Sequence, residues 1–171
     1  MKEPNLLVTY NPSHRELSRD EIQHILIALG HDNDIVDESI DGVFLVATKN
    51  PKTVVKKLAS HCKKNPALYR YTVRWIPIDS WCSTSMSDIG AQMKEINKKL
   101  GTKDTWKLGI TKRHYSRQST ADVIGTLTEH ITNPNINLLK PRKIVQVEIV
   151  GKRTGVALLD ESEVFNVNRF K

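Results

Sequence analysis

Apolar residues in the first half of the chain follow two rhythms. Asn5 to Tyr10 (NLLVTY) is a short β-prone run closed by the turn dipeptide Asn11-Pro12, which predicts a strand. Ile22, Ile25, Leu26 and Leu29 then recur at helical spacing before Gly30. Ser18-Arg19-Asp20-Glu21 has the S-x-x-E spacing of a capping box, so this helix is expected to begin at Ser18. Ile35 to Ile40 and Gly42 to Thr48 are β-branched runs hinged on Asp41-Gly42, a dipeptide suited to a tight hairpin. Asn50-Pro51 starts a second helix, with Val54, Val55, Leu58, Ala59 and Cys62 inward and Lys52, Lys56, Lys57, Lys63 and Lys64 elsewhere on its surface. Tyr71 to Ile78 alternates as a strand, with Val73 and Trp75 on one face and Arg74 on the other.

The resulting order, strand-helix-strand-strand-helix-strand, predicts a ferredoxin-like unit with a four-stranded sheet and two helices on one face. The polar stretch Asp79 to Ser85 reads as a spacer, placing one domain at 1–79 and a second at 80–171. In the second, Met86 to Leu100 is a helix with Ile89, Met93, Ile96 and Leu100 inward. Trp106 to Lys112 is a strand, and Ser119 or Thr120 caps a helix carrying Val123, Ile124, Leu127 and Ile131. Asn133-Pro134-Asn135 is a turn, Ile136 to Leu139 a short extended piece, and Ile144 to Val150 a strand. Gly151-Lys152-Arg153 turns the chain into a last strand, Gly155 to Leu159. The rest is read as a short tail whose Val164, Phe165, Val167 and Phe170 dock back onto the body. The expected fold class is α+β.

Composition changes this picture through charge. The formal charge is +7, and it is unevenly spread. Residues 1–48 hold 3 basic and 9 acidic side chains, residues 49–79 hold 8 and 1, and residues 106–153 hold 9 and 3. Two cationic blocks suit a polyanionic partner. No run approaches the ~18 apolar residues of a membrane span, and the N-terminus lacks the apolar stretch of a signal peptide, so a cytoplasmic protein without a membrane partner is expected. Cys62 and Cys82 sit in no C-x-x-C pair and near no histidine cluster, so no metal is expected.

Candidate binding residues cluster in three places. Lys112-Arg113-His114-Tyr115-Ser116-Arg117-Gln118-Ser119 joins a strand to a capped helix start, and its cations, ring, hydroxyls and free N–H groups suit phosphate binding. Lys140-Pro141-Arg142-Lys143 precedes a strand, and Lys152-Arg153 follows it, about 20 Å away. Lys107 and Arg74 complete the set. Six scattered histidines form no catalytic or metal-binding arrangement, and no Gly-rich phosphate loop occurs, so neither catalysis nor a cofactor is expected. On the residues alone, an RNA-binding domain and a non-catalytic protein-interaction or small-ligand regulatory module both stay open.

Tyr69 to Ile78 (YRYTVRWIPI), Trp106 to Arg113 (WKLGITKR) and the hairpin Ile144 to Leu159 resemble the corresponding pieces of THUMP-containing RNA-modifying proteins. The resemblance covers nearly the whole chain. It implies a ferredoxin-like unit followed by an α/β THUMP domain that recognises structured tRNA. No modifying domain fits the remaining residues, and the tail from Val164 to Lys171 is similar to the end of the adaptor-type members. Those members bind tRNA for a separate RNA cytidine acetyltransferase that forms N4-acetylcytidine. The resemblance therefore implies an adaptor whose basic face includes Lys112, Arg113, Arg117, Lys140 and Lys143.

Overall fold

The structure is a computed structural model that describes residues 2–37 and 39–170. In chain order the elements are β1 Leu6–Tyr10, α1 Arg15–Ala28, β2 Asp34–Asp37, β3 Val43–Ala47, α2 Pro51–Lys64, β4 Thr72–Pro77 and β5 Ser80–Ser83. There follow α3 Met86–Lys99, β6 Trp106–Arg113, α4 Thr120–Thr128, β7 Lys143–Val150, β8 Arg153–Leu159 and β9 Phe165–Asn166. They form two compact units: one runs to Ile78 and takes back the chain from Ser162, and the other is Asp79–Glu161.

The first unit is an antiparallel sheet in the order β2-β3-β1-β4-β9. Leu6, Val8 and Tyr10 of β1 alternate onto one face, where they meet Phe44, Val46 and Trp75 from the neighbouring strands. Ile22, Ile25 and Leu26 of α1 and Val54, Val55, Leu58 and Cys62 of α2 cover that face. The strands β2-β3-β1-β4 carry the ferredoxin-like order, and the tail adds a fifth strand at the β4 edge. Phe165 is buried in the helix-side core and stacks on Phe170, and Glu163 lies 3.8 Å from Lys56. The tail, expected within the 80–171 domain, thus belongs to the first unit, because its aromatic residues complete that core. Removing a buried ring such as Phe165 costs about 3–5 kcal/mol.

The capping box is a correction. Helix α1 begins at Arg15, three residues before Ser18, which is a buried interior residue. Glu21 reaches across the unit instead: its carboxylate accepts N–H bonds from Arg70 at 2.7 Å, Tyr71 at 3.0 Å and Thr72 at 2.7 Å. Helix-periodic spacing puts Glu21 beside Ile22 and Ile25 on the buried side, where a carboxylate persists only with such donors. The second strand of the expected hairpin matches β3, while the first is seen as Asp34–Asp37, with Glu38 outside the described residues, as is Lys171 of the tail.

The second unit has the order β5-β8-β7-β6, antiparallel except for the β6–β7 pair. Parallel neighbours need a long crossover, supplied by α4 and the loop after it. α3 and α4 cover one sheet face: Ile89, Met93 and Ile96 pack with Val123 and Leu127 over Val145, Val147 and Ile149. The turn after α4 closes tightly on α3 at Gly90, where a Cβ would stand 2.7 Å from Nε2 of His130. Three expectations differ here. The spacer contains a strand, β5, too short and polar to stand out. Residues 136–139 form no strand, apart from one bridge between Ile136 and Trp106. Ile124, expected inward, is 36% exposed.

Candidate nucleic-acid interface

The polar chemistry of the second unit gathers where β6 and β7 end. Register places Arg113 beside Val150, Val150 beside Arg153, and Arg153 beside Ser83. One end of the sheet therefore carries the loop after β6, the β7–β8 turn and the last residue of β5. The turn is a two-residue hairpin loop of Gly151 and Lys152, with Gly151 at φ 61° in the left-handed region that glycine enters without a Cβ clash. It is pinned on both sides: the Gly151 N–H donates to the Arg113 carbonyl at 2.8 Å, and the Thr84 N–H donates to the Lys152 carbonyl at 2.9 Å.

A cavity of about 510 Å³ opens at this end. His114, Tyr115, Ser116 and Arg117 line it on one side, and Ser83, Thr84, Gly151 and Lys152 on the other. His114 adopts φ 59°, a left-handed turn that swings the chain off β6. The loop is then fastened from within. Lys112 Nζ donates to the Gln118 carbonyl at 2.9 Å and the Tyr115 hydroxyl to Gln118 Oε1 at 3.2 Å, while the Tyr115 ring packs against the core. Lys112 acts here as a brace. The exposed side chains of His114, Arg117 and Lys152 face solvent, and among the described residues neither Arg117 nor Lys152 pairs with a carboxylate.

Two helices start nearby. Ser119 caps α4 by accepting from the Asp122 N–H at 3.1 Å, and Ser85 caps α3 by accepting from the Asp88 N–H at 3.0 Å. Each helix carries an aspartate in its first turn, which offsets part of its positive end. Ser83 donates to the Asp88 carboxylate. The anion-attracting charge of the cavity thus comes chiefly from Arg117 and Lys152. The Cys82 thiol beside it is raised above its ordinary value by burial first and by Asp88 second. Arg153 lies over the Trp81 ring, 4.1 Å from its centroid, an arrangement that holds the guanidinium against β5.

The other predicted cations lie elsewhere. Lys143 begins β7 and Val150 ends it, so the two ends of the strand are about 23 Å apart. Lys143 Nζ is 2.6 Å from Asp160, and Arg142 Nε is 3.5 Å from Asp104. Lys140 is exposed in the loop before them, and Lys107 pairs in register with Ile144 at this same end. Arg74 belongs to β4 of the first unit, where its N–H donates to Thr9 Oγ1 at 3.1 Å. Of the lysine helix, Lys56 faces Glu163 and Lys63 lies over Phe170, so part of its charge meets the tail. The structure also brings in Ser83, Thr84 and Gly151, which sequence reading did not select as site residues. Gly151 was visible as part of a turn, whereas Ser83 and Thr84 carried no signal beyond lying in a polar stretch.

No family model matches the chain, and no curated protein matches it. Solved structures do. PH1313 from Pyrococcus horikoshii matches at a TM-score of 0.65 and 13% identity, over 92% of this chain and 54% of its own. TrmN from Thermus thermophilus matches at 0.58 and 13%, over 91% and 45%. A 4-thiouridine synthetase, solved with RNA and bound ATP, matches at 0.50 and 13%, over 96% and 42%. The likeness is one of fold. The chain is α+β, with a ferredoxin-like unit followed by an α/β unit. It spans about half the length of these solved structures. Among the described residues no helix is long and apolar enough to cross a membrane.

Proposed function

We propose that this chain is a non-catalytic, cytoplasmic tRNA-binding adaptor that presents tRNA to a separate RNA cytidine acetyltransferase for N4-acetylcytidine formation. The observation that carries the RNA reading is the cavity end of the second unit, where Arg117, Lys152, His114 and Tyr115 stand on a loop and a turn fixed by hydrogen bonds. The neighbour solved with RNA shares this fold, which supports the same reading. The acetylation role rests on the resemblance carried by Tyr69 to Ile78 and Trp106 to Arg113.

In this reading Arg117 and Lys152 hold phosphates and the hydroxyls of Ser83, Thr84 and Ser116 meet phosphate or 2′-hydroxyl oxygens. Structured RNA is recognised largely by shape and by such contacts, so no base-reading side chain is required. Lys112 and Gln118 keep the loop in its binding shape. Arg113 and Arg153 flank the cavity and extend the positive field.

The test is a titration of the purified chain against folded tRNA, the same tRNA without its 3′ CCA end, and a DNA duplex of equal charge, at two salt concentrations. The expected result is salt-dependent binding that favours intact tRNA, with log K falling by about 0.7–0.9 per phosphate contact for each tenfold rise in salt. Equal affinity for all three would reduce the site to a general cationic surface. No binding at all would favour the protein-interaction or small-ligand module.

A further inference from the structure

The opposite end of the same sheet carries a different surface. Between α4 and β7, Ile136 is 57% exposed, Leu138 71% and Leu139 93%. Single exposed apolar residues are ordinary, but three within four positions form a contiguous patch. The loop that holds them is stiff. Asn137 Oδ1 accepts the N–H groups of Leu139 at 3.1 Å and Lys140 at 3.0 Å, and the Asn137 N–H donates to the Trp106 carbonyl at 2.9 Å. Asn133 Nδ2 donates to the carbonyls of Gly101 at 2.9 Å and Asp104 at 3.0 Å, and Asn135 Nδ2 to that of Thr102 at 3.0 Å. Side-chain amides thus fix the backbone of a segment whose leucines touch little.

The rim is positive. Asn133 to Lys143 contains three cations and no acid, and exposed Lys103 follows Thr102 alongside. Asp104 and Asp160 answer Arg142 and Lys143, which leaves Lys140 and Lys103 as the outward charges. A stiff apolar knob with a cationic rim loses little entropy on docking and complements a hydrophobic pocket edged with carboxylates. Leucines offer RNA neither a stacking face nor a hydrogen bond. The loop has no aromatic residue of the kind that anchors at a membrane interface. A two-fold contact between copies through this patch would bring two cationic rims together.

We propose that residues 136–140 dock a protein, seating Leu138 and Leu139 in an acid-rimmed apolar pocket of the acetyltransferase. RNA is then held at the other end of the sheet. The inference rests on the adaptor reading for the identity of the partner.

The experiment compares wild type, Leu138→Asp/Leu139→Asp and Lys140→Glu, each as the full chain. Binding is measured to purified RNA cytidine acetyltransferase, to tRNA and to phosphatidylcholine vesicles containing phosphatidylserine, with self-association followed by sedimentation. The double variant is expected to weaken acetyltransferase binding about 30-fold or more, as loss of a central anchor does, with tRNA affinity within about 2-fold. Lys140→Glu, which leaves the leucines in place, is expected to lower it about 3–10-fold, mainly through slower association. Unchanged acetyltransferase binding in both variants would overturn the docking site while leaving the adaptor reading intact. A wild-type chain that binds tRNA but no acetyltransferase would overturn the adaptor reading and the docking site together. Selective loss of tRNA, vesicle or self-association in the double variant would assign the loop to that partner and overturn the proposal.

Discussion

The two ends of the second unit's sheet look alike in sequence, since each is a basic cluster beside a strand terminus, yet they spend their charge differently. At the cavity end Arg117 and Lys152 are exposed beside hydroxyls and a fixed turn. At the other end Arg142 and Lys143 face Asp104 and Asp160, and the most exposed large hydrophobic side chains are leucines. Basic residues are therefore available to a polyanion only where folding leaves them without acidic neighbours. Positions in the chain do not reveal which cations those are.

Breaking the cavity end gives the largest effect. Arg117→Glu/Lys152→Glu is expected to weaken tRNA binding about 100-fold near 0.1 M salt and to flatten its salt dependence, whereas Lys140→Glu shifts tRNA affinity less than about 2-fold. A filter-binding series across salt concentrations checks both. Equal losses would erase the distinction between the ends.

Asn137→Ala comes next. It removes the acceptor for two loop N–H groups, so thermal stability is expected to fall by about 1 kcal/mol and amide exchange at residues 138–140 to quicken, with tRNA binding unchanged. Hydrogen-exchange mass spectrometry reads this. Exchange as slow as wild type would mean that the loop owes its shape to something other than Asn137.

Lys143→Met probes how far charge at the apolar end is already satisfied. The pair with Asp160 is partly exposed, at 30% and 43%, so after solvent screening its loss is expected to change stability by about 0.5 kcal/mol or less. A thermal melt suffices, and tRNA affinity should hold. A tenfold loss of tRNA binding would move the RNA contact to this end.

The smallest effect concerns Cys82. Its raised thiol pKa favours the neutral form in the folded chain, so this contribution to stability is complete below the ordinary thiol value of about 8.5 and is lost as pH rises through the folded value. Alkylation by iodoacetamide at pH 8 is expected to run a few-fold slower than for a free cysteine, about 2–5-fold, and Asp88→Asn to recover a minor part. Alkylation as fast as a free thiol would contradict the burial of this strand beside the cavity.

Much of the fold was legible because periodicity survives in the sequence. β1, β3, α2, α3, β6, β7, β8 and, apart from Ile124, α4 all follow runs whose apolar spacing matches the face they bury. The failures have local causes. Ser18 and Glu21 have the spacing of a cap, but Glu21 is used to hold the backbone of 70–72, a contact 49 to 51 residues away. β5 is four residues long and half polar, so only its pairing with β8 reveals it. For the candidate site, the loop 112–119 was visible as a basic strand-to-helix junction. That Lys112 turns inward was not, since its partner is a backbone carbonyl of the same loop.

The sequence by itself determined the order of the longer strands and helices, the four-stranded core of the ferredoxin-like unit and the cationic bias, because hydrophobic period and side-chain charge are local properties. The tertiary structure decided the rest. It placed the tail with the first unit through Phe165, brought residues 83–84, 114–117 and 151–152 around one cavity, and set 140–143 a strand's length away. Those outcomes depend on strand pairing and register, which join residues far apart in sequence and which no local pattern encodes.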